Sequence, residues 1–196
     1  MFEIIRDFHL ILASASPRRK EILQQAGFSF SIRKKNIEES YSPSLHPLEV
    51  PTFLAKKKAE SYAHELSPNE ILITADTVVI LENQILGKPQ NKQEAFQMLT
   101  RLSGKKHAVV TGICLSSYLH QHTFDQITYV YFKPLSQAQI EYYIEHYSPF
   151  DKAGAYGIQE WIGLIGVSRI EGCFYNVVGF PIQKFCDELQ NFVKNF

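Results

Sequence analysis

HLILASASPRRKEILQQAGFSF, residues 9 to 30, reads as a strand that runs through a serine-rich turn into a helix. The apolar run from Leu10 to Ala13 has the length and bulk of a buried strand. Ser16 followed by Pro17 gives an N-cap with proline at the first helical position. Ile22, Leu23 and Ala26 supply a buried stripe, and Gly27 stands where a helix normally stops. Arg18, Arg19 and Lys20 then fall in the first helical turn, beside the positive end of the helix dipole. Each is disfavoured there by about 0.3–1 kcal/mol unless something negative is bound. The stretch therefore predicts both a strand–helix start to the fold and an anion.

Outward from it, the alternation continues. FSFSI is a second strand, followed by a polar, proline-bearing loop to Pro51. Residues 52 to 66 are helical in composition, with Leu54, Ala55, Ala59, Tyr62, Ala63 and Leu66 on one side and the lysines mostly on the other; Pro68 and Asn69 end the helix. ILITADTVVIL at 71 to 81 is a strand or strand pair, with a turn at Glu82-Asn83-Gln84. A helix follows at 91 to 102, strands at 107 to 115 and 127 to 133, and a helix at 135 to 147 capped by Ser136. Residues 151 to 181 are glycine-rich with short apolar pieces. From Pro181 to the end Ile182, Phe185, Leu189 and Phe192 mark an amphipathic helix. Strands and helices interleave without repeats, so the class is α/β or α+β with a mixed sheet.

The chain of 196 residues suffices for one large domain or one domain of two lobes. Twenty basic and twenty acidic residues cancel, which leaves no overall field for coating nucleic acid or an anionic membrane; any phosphate affinity must be local. Cys114, Cys173 and Cys186 are odd in number and outside any CxxC pattern, so they read as reduced thiols in a cytosol. The most apolar window, 71 to 81, is too short to span a bilayer and has Asp76 at its centre. MFEIIRDFHLIL carries an acidic residue at position 3 and lacks a small-residue cleavage site, so no signal peptide is read and a cytoplasmic location is expected.

Several residues carry chemistry in principle. SASPRRKE is not a P-loop, and no G-x-x-x-x-G-K-[ST] pattern occurs elsewhere. Its hydroxyls, free backbone N–H groups and guanidinium groups nonetheless suit a polyphosphate. The alternative is that the arginines reach solvent or pair with Glu21 or the Glu38-Glu39 region. Asp76, flanked by apolar residues, is expensive to bury as a carboxylate unless it has a cation or several donors. Its candidate partners are a lysine or a divalent metal shared with Glu38 or Glu39, and its alternative is a turn between two strands. Lys58, in a KKK run, reads equally as a solvated helix face, and Lys88 of LGKP as a turn. DKAGAYGIQ at 151 to 159 either holds a base or is a structural glycine loop. His46, His64, His107, His120, His122 and His146 have no metal-ligand or triad spacing.

LASASPRRKEIL, NIEES, LAKKKAES, TADTVVIL, LGKP, MLTRLSGKKHAVVTG, DKAGAYGIQ and IEGCFYNVVGFP occur in this order across nearly the whole chain. Together they resemble the Maf family of nucleoside triphosphate pyrophosphatases. The resemblance implies an α/β fold of the inosine triphosphate pyrophosphatase type: a single domain over residues 1–196, elongated and two-lobed, with a mixed sheet, flanking helices and the active site in the cleft between lobes. It implies hydrolysis of the α–β phosphoanhydride with Mg²⁺ or Mn²⁺. Ser14, Arg19, Glu39, Lys58, Asp76 and Lys88 are the catalytic and phosphate-binding group it implies, with Asp76 as proton acceptor or metal ligand and Glu39 at the metal. Arg18, Thr77 and Gln159 match the positions that separate subgroups. They read as in the branch acting on dTTP and UTP, whereas the 7-methyl-GTP branch has tryptophan, glutamine and glutamate there. Glu160 departs from the family's usual glycine, and Cys173-Phe174 from its usual residues before YNVVG.

The expected partner is a small nucleoside triphosphate, without nucleic acid or membrane, and the resemblance allows a homodimer. A nucleotide-binding regulator of septum formation with little turnover is the rival class. An RNA-binding module is disfavoured by balanced charge and the lack of a stacking motif. The arginines of the opening stretch are expected to face solvent at rest and a triphosphate at work.

Overall fold

The computed structural model describes residues 5–62 and 64–194. Ala63 of the second-helix stripe, the last two residues of the chain and the first four of the segment read for a signal peptide lie outside the described residues. Among the described residues seven strands, β1 (His9–Leu12), β2 (Phe30–Ile32), β3 (Glu70–Leu81), β4 (Gln84–Leu86), β5 (Lys106–Ser116), β6 (Gln121–Phe132) and β7 (Val167–Glu171), are hydrogen-bonded in the order β2-β1-β3-β5-β6-β7, with β4 added against β3. The chain divides into two compact units, one built from the residues up to Asp76, Thr111–Gln126 and the segment from Gly179, the other from Thr77–Val110 and Ile127–Val178.

In the first unit β1 (His9–Leu12) lies parallel to both β2 (Phe30–Ile32) and β3 (Glu70–Leu81), with Leu12 opposite Ile32 and Ile73. Parallel strands covered on both faces need continuous rather than alternating apolar sequence, and Leu10, Ile11 and Leu12 beside Ile71, Leu72 and Ile73 supply it. The helix α1 (Pro17–Gln25) begins where Ser16-Pro17 predicts. The Ser16 side chain makes no cap, however; its own N–H donates to Ser14 Oγ at 3.2 Å. At the other end Gly27 adopts φ 83°, so that its N–H reaches Gln24 O and that of Phe28 reaches Leu23 O, closing the last turn.

The helix α2 (Val50–Glu60) starts two residues earlier than composition suggests and stops well before Pro68. Its small residues set its position. Ala55 and Ala59 are fully buried, and the Thr74 hydroxyl donates to Ala55 O at 2.6 Å, fastening the helix to β3. On β5 (Lys106–Ser116) Gly112 permits the same approach: a Cβ there would stand 2.3 Å from Thr52 N. The C-terminal α7 (Ile182–Lys194) buries Phe185, Leu189 and Phe192. Phe185 meets Phe28 and Phe180 with ring centroids 5.4 and 4.9 Å apart.

In the second unit β3 turns directly into β4 (Gln84–Leu86) through Glu82 and Asn83, at φ 51° and 64°. That pair of left-handed residues is what a two-residue hairpin of matching twist requires. The helix α3 (Lys92–Leu102), capped by the Asn91 side chain, packs on α4 (Gln137–Tyr147), where Ser136 and Gln139 form a reciprocal capping box. The strand β6 runs from Gln121 to Phe132, longer than its alternating core, and pairs antiparallel with β7 (Val167–Glu171).

The glycine-rich stretch read as loop texture thus contains β7 and the short helices α5 (Trp161–Gly166) and α6 (Phe174–Val178). Their lengths explain the miss, because five or six residues carry too little periodicity to register. Asp76 lies inside an unbroken strand of 12 residues, which removes the turn alternative. All three cysteines are free thiols, and Cys114 is buried.

Candidate active site

The first unit gathers one cluster of charge. β3 carries Asp76 to a place where only 9% of the residue is exposed. Opposite, α2 presents its three lysines differently, since successive residues on a helix point about 100° apart. Lys56 stays exposed, 4.0 Å from Glu60. Lys57 donates to the carbonyl and hydroxyl of Ser40 at 2.9 and 2.8 Å, tethering the polar loop. Lys58 turns inward, and its Nζ lies 2.6 Å from both Asp76 Oδ1 and Glu39 Oε1. The solvated-face reading therefore holds for Lys56 and fails for Lys58. Lys57, which sequence reasoning missed, keeps the residue next to Glu39 in place.

Arg19 answers the question posed by the first helical turn. Its Nε donates to Gly179 O at 3.0 Å, and its Nη1 to Ala75 O at 2.8 Å and Ser14 Oγ at 3.3 Å. The expectation of solvent as its resting partner is corrected: backbone carbonyls and a serine hydroxyl hold the guanidinium. Carbonyl acceptors offset part of the unfavourable helix-end field, and the charges of Asp76 and Glu39 favour the guanidinium further. Burial lowers the Arg19 pKa, opposed first by the Asp76 charge. Gly179, at φ 121° in VVGFP, was not singled out from the sequence. Its glycine permits a backbone conformation that aims a carbonyl, a contact no side-chain pattern announces.

Asp76 responds to the same surroundings. Burial pushes its carboxyl above the ordinary aspartate value, against the Lys58 charge and hydrogen bond and the Arg19 charge, and Glu39 pushes it further up. A raised carboxylate is a better proton acceptor than a solvated one. Ser14, Arg19, Glu39, Lys58 and Asp76 are thereby brought together in one unit.

Thr77, Lys88 and Gln159 belong to the second unit. Lys88 is exposed in the turn after β4. Gly154 N–H donates to Gly87 O at 3.0 Å, which joins that turn to the DKAGAYGIQ loop. Gly154 has φ 67°, and a Cβ on it would meet Val79 at 3.0 Å, so the approach of the loop to β3 depends on glycine. Gln159 is exposed at the third position of a tight turn closed by Glu160 N–H to Gly157 O at 3.0 Å. The turn is anchored from below. Gly157 N–H donates to the Tyr143 hydroxyl at 3.0 Å, the Tyr143 hydroxyl donates to Glu160 Oε2, and buried Lys152 pairs with Glu160 Oε1 at 3.1 Å and Asp151 at 2.8 Å. Tyr156 in the same loop bonds His107 Nε2 at 2.7 Å.

A family model described as Maf-like protein matches residues 9–192. A protein of Phocaeicola vulgatus named dTTP/UTP pyrophosphatase is 47% identical over 191 residues, covering 97% of this chain and 99% of that protein. One of Porphyromonas gingivalis with the same name is 46% identical over 195 residues, covering 98% of each. Among solved structures, the Ham1 protein of Staphylococcus aureus superposes with a TM-score of 0.51 at 15% identity, over 95% of this chain and 98% of that one. The fold is thus shared with a protein far diverged in sequence.

Proposed function

The chain belongs to the Maf-like protein family, and from that premise we propose that it is a nucleoside triphosphate pyrophosphatase acting on dTTP and UTP. The two relatives that match it over nearly their whole length are named for that activity. The observation that carries the reading is the buried Asp76 carboxylate, raised toward basicity and set against Lys58 with Arg19 one carbonyl away.

The reaction breaks the phosphoanhydride bond between the α and β phosphates. Water supplies the new oxygen, and the products are the nucleoside monophosphate and pyrophosphate. Attack on an anionic phosphorus is limited by charge and alignment, so the residues' main work is to offset negative charge and take a proton. Asp76 accepts that proton from water. Lys58 offsets charge on the phosphates and holds Glu39 against Asp76, and Arg19 adds a second positive charge beside Asp76. Ser14 fixes Arg19 and the first turn of α1 together. Lys88 adds a cation for the departing pyrophosphate.

The donor set suits Mg²⁺ or Mn²⁺. Oxygens of Glu39 and Asp76 already converge on one cationic atom, and hard cations of this kind take one or two carboxylates and complete their shell with water and substrate phosphates. No group of three or more His, Cys, Asp or Glu suited to a metal occurs among the described residues. When bound, the metal supplies Lewis acidity toward phosphate oxygens and water.

Arg18, Thr77 and Gln159 read the nucleotide, with Gln159 at the base edge; a polar site rejects a base that leaves its groups unpaired. No helix among the described residues is long and apolar enough to cross a membrane. Cytoplasmic action on free nucleotide, without nucleic acid, accords with balanced charge and free thiols. A homodimer is compatible with this reading.

The test is product analysis with Mg²⁺ across UTP, dTTP, CTP, GTP and 7-methyl-GTP. Monophosphate and pyrophosphate in equal amounts, released fastest from UTP and dTTP, are expected. Diphosphate and orthophosphate as products, or a preference for 7-methyl-GTP, would refute the assignment.

A further inference from the structure

Glu160 lies next to the proposed base reader, at the end of the turn that carries Gln159. Its carboxylate is partly buried and engaged at both oxygens. One oxygen accepts from the fully buried Tyr143 hydroxyl, and the other pairs at 3.1 Å with Lys152, itself only 8% exposed. The side chain folds over the bare face of Gly157. A Cβ there would stand 2.9 Å from Glu160 Cδ, 3.0 Å from its Oε2 and 3.1 Å from Gln159 Nε2. The absence of a side chain at Gly157 is therefore what lets the carboxylate and the Gln159 amide share that space.

The chemistry of the two groups sets their mutual orientation. An ionised carboxylate only accepts hydrogen bonds, whereas an amide has a donating NH₂ end and an accepting carbonyl end. Beside a carboxylate the NH₂ end is attracted and the carbonyl end repelled. A solvated glutamine flips between the two orientations freely; one beside a fixed carboxylate does not. Glu160 is fixed by Tyr143 and Lys152, and the turn that carries Gln159 is fixed by the bonds to Gly157.

We propose that Glu160 is a positioning residue for base selection, turning the Gln159 amide so that its NH₂ end faces the carboxylate and its carbonyl end faces the nucleotide. The inference rests on the reading of Gln159 as the residue at the base edge. A carbonyl acceptor at that edge matches the N3–H donor of uracil and thymine. Cytosine carries an acceptor at N3 and would meet it lone pair to lone pair. Glu160 thus acts through Gln159 to discriminate between pyrimidines that differ little in size.

The experiment measures kcat and KM for UTP and CTP in the wild type and in Gln159→Ala, Glu160→Ala and Glu160→Gln. Glu160→Ala is expected to lower the UTP-to-CTP ratio of kcat/KM about tenfold, chiefly through a lower KM for CTP, the scale of one mispaired polar contact. Glu160→Gln keeps the shape but can donate as well as accept, so it is expected to lower the ratio by a smaller factor; it also serves if the alanine variant does not fold. Equal loss of activity on both nucleotides, with the ratio intact, would mean that Glu160 only props the loop and would overturn the proposal. If Gln159→Ala itself leaves the ratio intact, the base-edge reading of Gln159 fails first. If Gln159→Ala collapses the ratio and neither Glu160 variant changes it, the fault lies with the orienting role alone.

Discussion

The two units solve opposite problems with buried polar groups. In the first, charge meets charge: Lys58 sits between two carboxylates, and Arg19, held by two backbone carbonyls, feels the charges of the same two carboxylates. In the second, the core around Val79, Leu99, Val130 and Tyr156 is apolar, and three of its buried polar side chains, Tyr143, Lys152 and His107, hold one loop. The first arrangement keeps a carboxylate and cations ready to exchange partners. The second fixes a backbone turn so that one exposed side chain is presented in one way. Under the proposed function most of the chemistry falls to the first unit, with Lys88 of the second, and most of the recognition to the second, with Arg18 of the first.

The largest effect expected is on Asp76. Asp76→Asn is nearly isosteric but cannot take a proton, and turnover should fall about 10²–10⁴-fold, the range general-base catalysis contributes. Arg19→Ala removes a cation without removing a base and should cost about 10²-fold in kcat, measured with saturating UTP. Unchanged kinetics in that variant would place the working charge elsewhere.

The pH profile separates the roles by sign. Because the raised Asp76 group must be ionised to act, activity should disappear as pH falls through a value above the ordinary aspartate range. Lys58→Met removes the largest influence lowering that value, so the acid limb should move to higher pH; Glu39→Gln removes a raising influence and should move it to lower pH. Shifts in the same direction for both would contradict the arrangement.

The smallest effect is on stability and belongs to the second unit. Burial pushes the His107 pKa down from 6.5 to about 4, and its Nδ1 is buried without a hydrogen-bond partner. The unfolded chain therefore binds more protons between those values, and stability present above pH 6.5 should be lost as pH falls through the folded value, by on the order of 3 kcal/mol at most. Urea denaturation at several pH values should show that slope in the wild type and a shallower one in His107→Phe. Equal slopes would mean that His107 is hydrated in the folded protein.

Much of this was legible in the sequence where signals are long or chemically odd. The strand–helix start, the Ser136 cap, the α3 and α7 helices and the misplaced charge of Asp76 and Arg19 all stand out locally. What escaped was short or depended on backbone. β7 and α5 are too brief for periodicity, and β6 extends beyond its alternating segment. The carbonyls of Ala75 and Gly179 that hold Arg19 have no sequence signature of their own. Composition also treats Lys56, Lys57 and Lys58 alike, and only the rotation of α2 against β3 separates them.

The central claim is that Asp76 performs the hydrolysis of a pyrimidine triphosphate to its monophosphate. It is tested most directly by pyrophosphate release from UTP with Mg²⁺, comparing the wild type with an Asp76→Asn protein shown by circular dichroism to be folded. The wild type should release pyrophosphate, and the variant should lose nearly all of that release. Full release by the folded variant would contradict it.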